Sequence, residues 1–599
     1  MKKFKSFLKH IGDSVKLLWI ASPKLFIARI TLEVVIVFIP ILSSYLSKLL
    51  IDYLGTFNGN QDMKESTLAL IIAIVIMTVC SVFINRINSL FKNIHGDLIG
   101  NTISLRIMKK INDLDLSYFD DPKTYDEIQN AKRDSGSLAN MSWLFISIIR
   151  GTVSIITNGI LLGSVAFYLP LIILAFNIPS VLIDRYMAKK QYAWERSRTK
   201  NNRQIGYIAG ILEGQRFSKD VRVFGTYDHL LEQHQAMWHA WFKEKRKIDR
   251  KRLVASISIS IIPYIPIVYT LFYVATNIMA GNLTIGDYTF YTTLANQFQS
   301  GLIGVIASIN QGYESEMRLK KFDEFLTWPS KISDDGSLEL NNIETIEFEH
   351  VDFAYPHSEY QVLRDLSFVI GKNEKIALVG INGAGKSTIV KLILRLYDPD
   401  KGRVLINGID IKKYRLADVR KAMGVVFQDF NKYLMKLNEA VSITDTEHIN
   451  DTDRISGALK SADFTVDERF VNGIESYLGK VFDEEGVELS GGQWQKLAIA
   501  QAYFKESKFM VFDEPSASLD PVAENHVFEK MVDLCKDKGA IFITHRLSCV
   551  SAADKIILIE NGTCSACGTH KELMNCSTSY AKLFNLQAGK YMRLSSEKL

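Results

Sequence analysis

Long apolar runs fill the chain up to about residue 310, and short ones alternate with charges and turn residues beyond about residue 340. A bilayer core of about 30 Å takes roughly 20 apolar residues per helix. Six stretches reach that length, near 25–50, 67–88, 141–162, 163–184, 254–280 and 286–310. The third and fourth are nearly continuous, so a tight turn around Gly163–Pro170 has to separate them. Pro263 and Pro266 predict a kink in the fifth. The sixth is the least apolar; its polar positions Tyr288, Tyr291, Asn296, Gln297 and Gln299 either line a wet cavity or bond neighbouring helices. Arg29 and Glu33 stand four residues apart, and Arg150 interrupts the third span; the expectation is a bundle-facing ion pair near the inner interface.

Charge orients these spans. In the candidate outer loops, 51–66, 163–170 and 280–286, Lys64 is the one Lys or Arg, whereas KKQYAWERSRTKNNR and FKEKRKIDRKR crowd the inner segments. Basic loops that alternate with apolar spans follow the positive-inside rule, which places both termini in the cytoplasm and speaks against nucleic acid as the partner. The inner segments are too long for loops, so the membrane helices are expected to run on past the bilayer. Pro122 with Thr124 and Glu127 forms a helix-start signal near 119–128, and 216–226 has comparable character. The N-terminus interleaves Lys with Phe and Leu and has no uninterrupted apolar core, which predicts an amphipathic helix on the membrane face and not a cleaved signal.

Composition adds little until it is divided. The chain has 599 residues, 47% hydrophobic, with a formal charge of +5. A mean hydropathy of +0.05 would suit an ordinary soluble protein, yet it averages a lipid-facing half and a water-soluble one. Disorder, collagen and a disulfide scaffold are excluded. Six cysteines, five of them from Cys535 onward, suit a reducing compartment for the C-terminal part.

That second half carries the chemistry. An apolar strand over Ile376–Val379 leads into Gly380-Ile381-Asn382-Gly383-Ala384-Gly385-Lys386-Ser387-Thr388 and then a helical pattern, the context a phosphate-binding loop requires. Its glycines let backbone N–H groups turn toward phosphates, and the helix N-terminus adds a favourable dipole. Lys386 would reach the β- and γ-phosphates and the Ser387 hydroxyl would ligate Mg²⁺. A second apolar strand, Phe509–Phe512, ends in Asp513, placed to hold Mg²⁺, and Glu514, placed to act as general base on the attacking water.

With LSGGQ at Leu489–Gln493 the chain resembles the ATP-binding cassette (ABC) transporters over essentially its whole length. The resemblance implies that Ser490, Gly491, Gly492 and Gln493 face the phosphate loop of a second cassette and close ATP between two subunits. Tyr355 looks like the aromatic that stacks on adenine, and Gln428 like the glutamine that contacts Mg²⁺ and the membrane domain. Asp520 matches the loop that communicates between sites, and His545 the switch histidine at the γ-phosphate. Six spans followed by one cassette resemble an exporter half-transporter, so the segments near 119–128 and 216–226 look like coupling helices. The implied fold is a six-span α-helical transmembrane domain over 1–325, a linker over 326–343, an α/β P-loop ATPase cassette over 344–588 and a tail over 589–599.

The implied activity is ATP hydrolysis that drives export, with ATP and Mg²⁺ as cofactors, at the cytoplasmic membrane. The implied partners are a second copy of the chain or a related half-transporter, membrane lipid and the cargo. FQDFNKY and LSGGQWQKLAIA look most like exporters of ribosomally made peptides, including lantibiotic-type transporters; multidrug or lipid export is the alternative. With no cysteine before Cys80, any leader removal is expected from another protein. A membrane-tethered ATPase acting on other macromolecules, and a channel gated by its cassettes, are the readings from other classes. Cys564-x-x-Cys567-x-x-His570 has ligand types that zinc accepts but not the usual paired spacing, and it falls in a stretch that is structural in the family.

Overall fold

In a computed structural model, residues 2–55, 61–356, 358–514, 521–543 and 553–586 are described. Twelve α-helices among them precede the first strand: α1 (Lys2–Ala21), α2 (Pro23–Gly55), α3 (Gln61–Asn112), α4 (Ser117–Asp120), α5 (Pro122–Asp134), α6 (Gly136–Gly163), α7 (Tyr168–Ser197), α8 (Thr199–Glu213), α9 (Ser218–Val223), α10 (Tyr227–Ser260), α11 (Ile265–Met279) and α12 (Ile285–Leu326). The chain divides into two compact units. One holds residues up to Asn112 together with Asp126–Trp328, and the other holds Asp113–Tyr125 and everything from Pro329.

Among the described residues of the first unit, five stretches are long and apolar enough to cross a bilayer, while α12 falls short in apolar content. At ~1.5 Å per residue, the 52 residues of α3 reach about 78 Å, far more than a ~30 Å hydrocarbon core needs. The expected extensions are therefore real. The fifth span is not one helix. Proline removes a backbone donor and clashes with the preceding turn; accordingly α10 ends at Ser260, a 3₁₀ turn spans Ile262–Tyr264, and α11 starts beside Pro266. The amphipathic α1 does not simply lie on a surface: Ser14, Leu17 and Leu18 are buried in the unit, and the Leu18 carbonyl meets His95 Nε2 at 3.0 Å.

Helices α6 and α12 cross at glycines. A Cβ on Gly151 would sit 2.5 Å from Val305 Cγ2 and 3.1 Å from the Gly301 carbonyl oxygen, so the close approach requires small residues. Leu162, Ile173, Phe290, Leu294 and Phe298 pack alongside. At the start of α12, Thr284 and Asp287 form a reciprocal cap; Lys48 on α2 reaches Asp287 at 2.5 Å, and Asp52 accepts from the Gly286 N–H at 2.9 Å.

The second unit carries two sheets. Strands β1 (Ile346–Ala354), β2 (Gln361–Ile370), β4 (Lys401–Ile406) and β5 (Ile409–Asp410) form an antiparallel sheet in the order β2-β1-β4-β5. Strands β3 (Lys375–Val379), β6 (Met423–Val426), β7 (Phe509–Asp513), β8 (Gly539–Ile543), β9 (Lys555–Glu560) and β10 (Thr563–Gly568) form the other in the order β10-β9-β3-β8-β7-β6. It is parallel except for the edge strand β10. Its central strands are buried on both faces, as their continuous apolar runs require.

Two boundaries differ from the sequence expectation. The stretch 326–343 is not a free linker: Leu340 and Ile343 are buried in the cassette core, and Leu338 bridges Tyr414. Two apolar side chains separated by polar ones gave too weak a pattern to reveal that burial. Residues 113–125 also leave the membrane unit. Leu116 packs against the cassette core, and the Asp120 carboxylate accepts a hydrogen bond from the Tyr397 hydroxyl and meets Lys391 Nζ at 3.4 Å. The tail expected at 589–599 lies outside the described residues.

Candidate nucleotide site and membrane cavity

The phosphate loop runs from β3 into the helix Lys386–Ile393. Two glycines are fixed by geometry. Gly385 caps that helix at φ 105°, a backbone state costly for other residues. At Gly380 the constraint is space: an added Cβ would lie 2.3 Å from the Ile559 carbonyl oxygen on β9. Lys386 is buried, and its Nζ donates to the carbonyls of Gly380 and Ile381 at 2.9 and 3.1 Å. Burial pulls its pKa down, while the carboxylates of Glu514 and Asp513 pull it back up.

Asp513 ends β7 beside the loop, and the Ser387 hydroxyl donates to its Oδ1 at 3.3 Å. Glu514 follows at φ 44°, its N–H held by the Ile543 carbonyl at 3.1 Å, and Gln428 Nε2 donates to its Oε2 at 3.3 Å. Tyr355 adjoins the same helix: its hydroxyl is 3.0 Å from the Thr388 hydroxyl, and its ring meets Phe353 and Tyr397 edge-on. The structure thus gathers Tyr355, Gln428, Asp513 and Glu514 around the loop Gly380–Thr388, with Asn382, Gly383 and Ala384 in its turn.

The signature stands apart. Ser490 caps the helix Gly491–Phe504, with Ser490 Oγ accepting from the Gln493 N–H and Gln493 Oε1 accepting from the Ser490 N–H. Gly491 and Gly492 form the first turn of that helix. Asp520 and His545 lie outside the described residues. Of the cysteine motif, His570 Nδ1 pairs with the Tyr580 hydroxyl at 2.8 Å, and among the described residues Cys564, Cys567 and His570 do not group their ligand atoms within 4.8 Å of one another.

Two profiles match the chain: the ABC transporter transmembrane region at residues 25–302 and the ABC transporter domain at residues 363–517. The chain belongs to the ABC transporter family. It joins a transmembrane region to an ATP-binding domain with ATPase activity, and ATP hydrolysis drives export. It is similar to the subtilin transport ATP-binding protein SpaT of Bacillus subtilis, 29% identical over 97% of this chain and 95% of that protein. The nisin transport ATP-binding protein NisT of Lactococcus lactis subsp. lactis is 25% identical over 97% of both chains. The fold matches that of a bacterial Atm1-family ABC exporter with ATP bound, at a TM-score of 0.78 and 21% identity, covering 94% of this chain and 98% of that one.

In the membrane unit of this transporter the polar residues divide. Asn296 and Gln297 line a cavity of about 600 Å³ between α2, α6 and α12, whereas Gln299 and Asn177 exchange amide hydrogen bonds at 2.8 and 3.2 Å. Tyr291 packs with the apolar cluster. The ion pair also differs from expectation. Glu33 faces Arg150 at 3.6 Å and accepts from Asn88 at 2.9 Å, while Arg29 stacks over Trp143 with its Cζ 4.6 Å from the ring centroid. Four-residue spacing brought Arg29 near Glu33, but the guanidinium found an aromatic face instead.

Burial pushes the Asp513 carboxyl above its usual range. The folded chain then holds that proton more tightly than the unfolded chain does. The associated stability is present below the ordinary carboxylate pKa near ~3.9 and lost as pH rises through the raised value. At neutral pH the ionised group is destabilising. Asp513→Asn is therefore expected to melt higher than wild type at pH 7 without nucleotide, while losing ATPase; scanning fluorimetry showing a lower melting temperature would contradict this.

Proposed function

We propose that two copies of this chain form an exporter of a ribosomally made peptide in the cytoplasmic membrane, with both termini and the cassettes in the cytoplasm. The match to a subtilin transporter along nearly the whole chain carries this reading. The polarity of the α2–α6–α12 cavity supports it, because a peptide leaving water needs partners for its backbone groups. Two copies are supported by the segment 216–226, where Val223 and Phe224 are 77% and 72% exposed at the tip of α9, an apolar pair suited to docking on a second cassette.

Within each site we assign the roles as follows. The loop Gly380–Thr388 cradles the phosphates, Lys386 turns from its carbonyl partners to the β- and γ-phosphates, and Tyr355 flanks the adenine. Ser387 Oγ and Asp513 Oδ1 are hard oxygen donors close together, with Gln428 adjacent, a set that suits Mg²⁺. When bound there, Mg²⁺ would neutralise phosphate charge. Glu514 takes the proton from the attacking water, and Gln428 orients its carboxylate. From the second copy, Ser490, Gly491, Gly492 and Gln493 offer a helix N-terminus to the γ-phosphate. Asp520 and His545 take their roles, at the communicating loop and at the γ-phosphate, from the resemblance of their motifs alone.

Closing the two cassettes on ATP and releasing them after hydrolysis biases a two-state membrane bundle. The test is inside-out proteoliposomes given ATP and a random-sequence peptide pool, a cationic dye or a fluorescent phospholipid. ATP-dependent accumulation of peptides is expected. Accumulation of dye or movement of phospholipid without peptide would favour lipid or multidrug export. That second reading draws on an apolar pocket of about 540 Å³ on another face of α2, lined by Phe38, Leu42, Tyr45, Met77 and Phe290.

A further inference from the structure

Among the described residues, the cavity between α2, α6 and α12 has one charged residue in its wall, Arg150. Its other polar lining is uncharged: Ser147 and Ser154 from α6 face Thr293, Asn296, Gln297 and Ser300 from α12. Arg150 is loosely held. Its side chain is 51% exposed, and Glu33 Oε2, at 3.6 Å, is too far for a good hydrogen bond. Glu33, by contrast, is itself buried and has an independent donor in Asn88. Its Oε1 keeps that donor whatever Arg150 does, while Oε2 is buried without a hydrogen bond and has Arg150 as its facing charge.

Charge does not balance around this pair. Arg29, 2% exposed, stands one helical turn before Glu33, and its Nε and Nη1 are buried without an acceptor. Two guanidinium groups thus share one carboxylate among these residues. A net positive charge in a membrane interior is costly unless an anion approaches it. Arg150 is the member of the trio that is both exposed and in the cavity wall. Five donors on a planar fork make it a bidentate receiver for carboxylate.

We infer that Arg150 selects cargo by charge, exchanging its loose contact with Glu33 for a carboxylate of the transported peptide. The cavity is thereby matched to acidic peptides, and Arg150 is a specificity-determining residue, not a packing one. The carboxylate is either an Asp or Glu side chain or the free C-terminus. The inference rests on the peptide-export reading above.

The test uses the full-length protein in inside-out proteoliposomes with ATP and three random-sequence pools of matched hydrophobicity. One pool is acidic with amidated ends, one neutral with free C-termini, and one neutral with amidated ends. Accumulated peptides are identified by mass spectrometry. Wild type should enrich one or both carboxylate pools about tenfold over the third, the scale of one charge-assisted hydrogen bond. Whichever pool is enriched identifies the source of the carboxylate. Arg150→Lys should keep part of the preference, Arg150→Gln should lose it, and Arg150→Glu should reverse it toward the neutral pool with amidated ends.

Glu33→Gln, which removes the competing charge and keeps an acceptor for Asn88, should increase it. This variant tests the idea even where Arg150 substitutions fold poorly. Peptide transport with no carboxylate preference in wild type, or with the preference intact in Arg150→Gln, overturns the inference while the peptide reading stands. Transport of phospholipid or dye and of no peptide overturns both.

Discussion

Replacing Glu514 with Gln should leave ATP binding near its wild-type level and reduce steady-state phosphate release by about 10³-fold, within the range for removing a general base. The geometry makes the substitution clean. Glu514 is held through its backbone N–H to Ile543, and a Gln side chain keeps an oxygen for the Gln428 amide while giving up the proton acceptor. Phosphate release and nucleotide binding, measured on the same purified preparation, separate the two effects. Turnover within tenfold of wild type, with binding intact, would remove Glu514 from the role of base.

Gly380→Ala is expected to act through a different cause. The new Cβ would press on the Ile559 carbonyl at 2.3 Å, and a backbone atom paired within a sheet has nowhere to go. Over-packing of this kind costs about 1–3 kcal/mol or more. For a domain of this size each kcal/mol lowers the melting temperature by about 2–4 °C. The cassette transition should fall by about 5–10 °C, and ATP binding should weaken sharply because strand β3 and the loop shift together. A variant that melts like wild type and binds ATP normally would show that β9 yields at no cost. The same substitution at Gly383, where an added Cβ meets nothing within 4 Å, is the comparison for backbone conformation without steric conflict.

Legibility followed the range of the interaction. The phosphate loop was readable because one contiguous stretch has to supply the turn, the cation and the hydroxyl. Strand β7 was readable because burial on both faces leaves an unbroken apolar run before Asp513. The reason Gly380 must be glycine was not readable, since it lies in the Ile559 carbonyl, far along the chain. Nor was the choice made by Arg29, whose aromatic partner Trp143 comes from another helix. Asn296, Gln297 and Gln299 are nearly adjacent in sequence, yet the turn of a helix sends the first two to the cavity and the third to α7. Periodicity shows that a helix has a polar side. It does not say which neighbour meets each position on it.

The amide pair between Asn177 and Gln299 bears on how this transporter moves. Both side chains are buried, and each donates to the other. Turning α12 about its own axis would break both bonds and leave Asn177 Nδ2 with the Ile173 carbonyl, 2.7 Å away. The pair therefore works as a rotational stop between α7 and α12. Any motion that keeps the pair moves the two helices together, and the orientation of the polar cavity wall on α12 is then tied to α7.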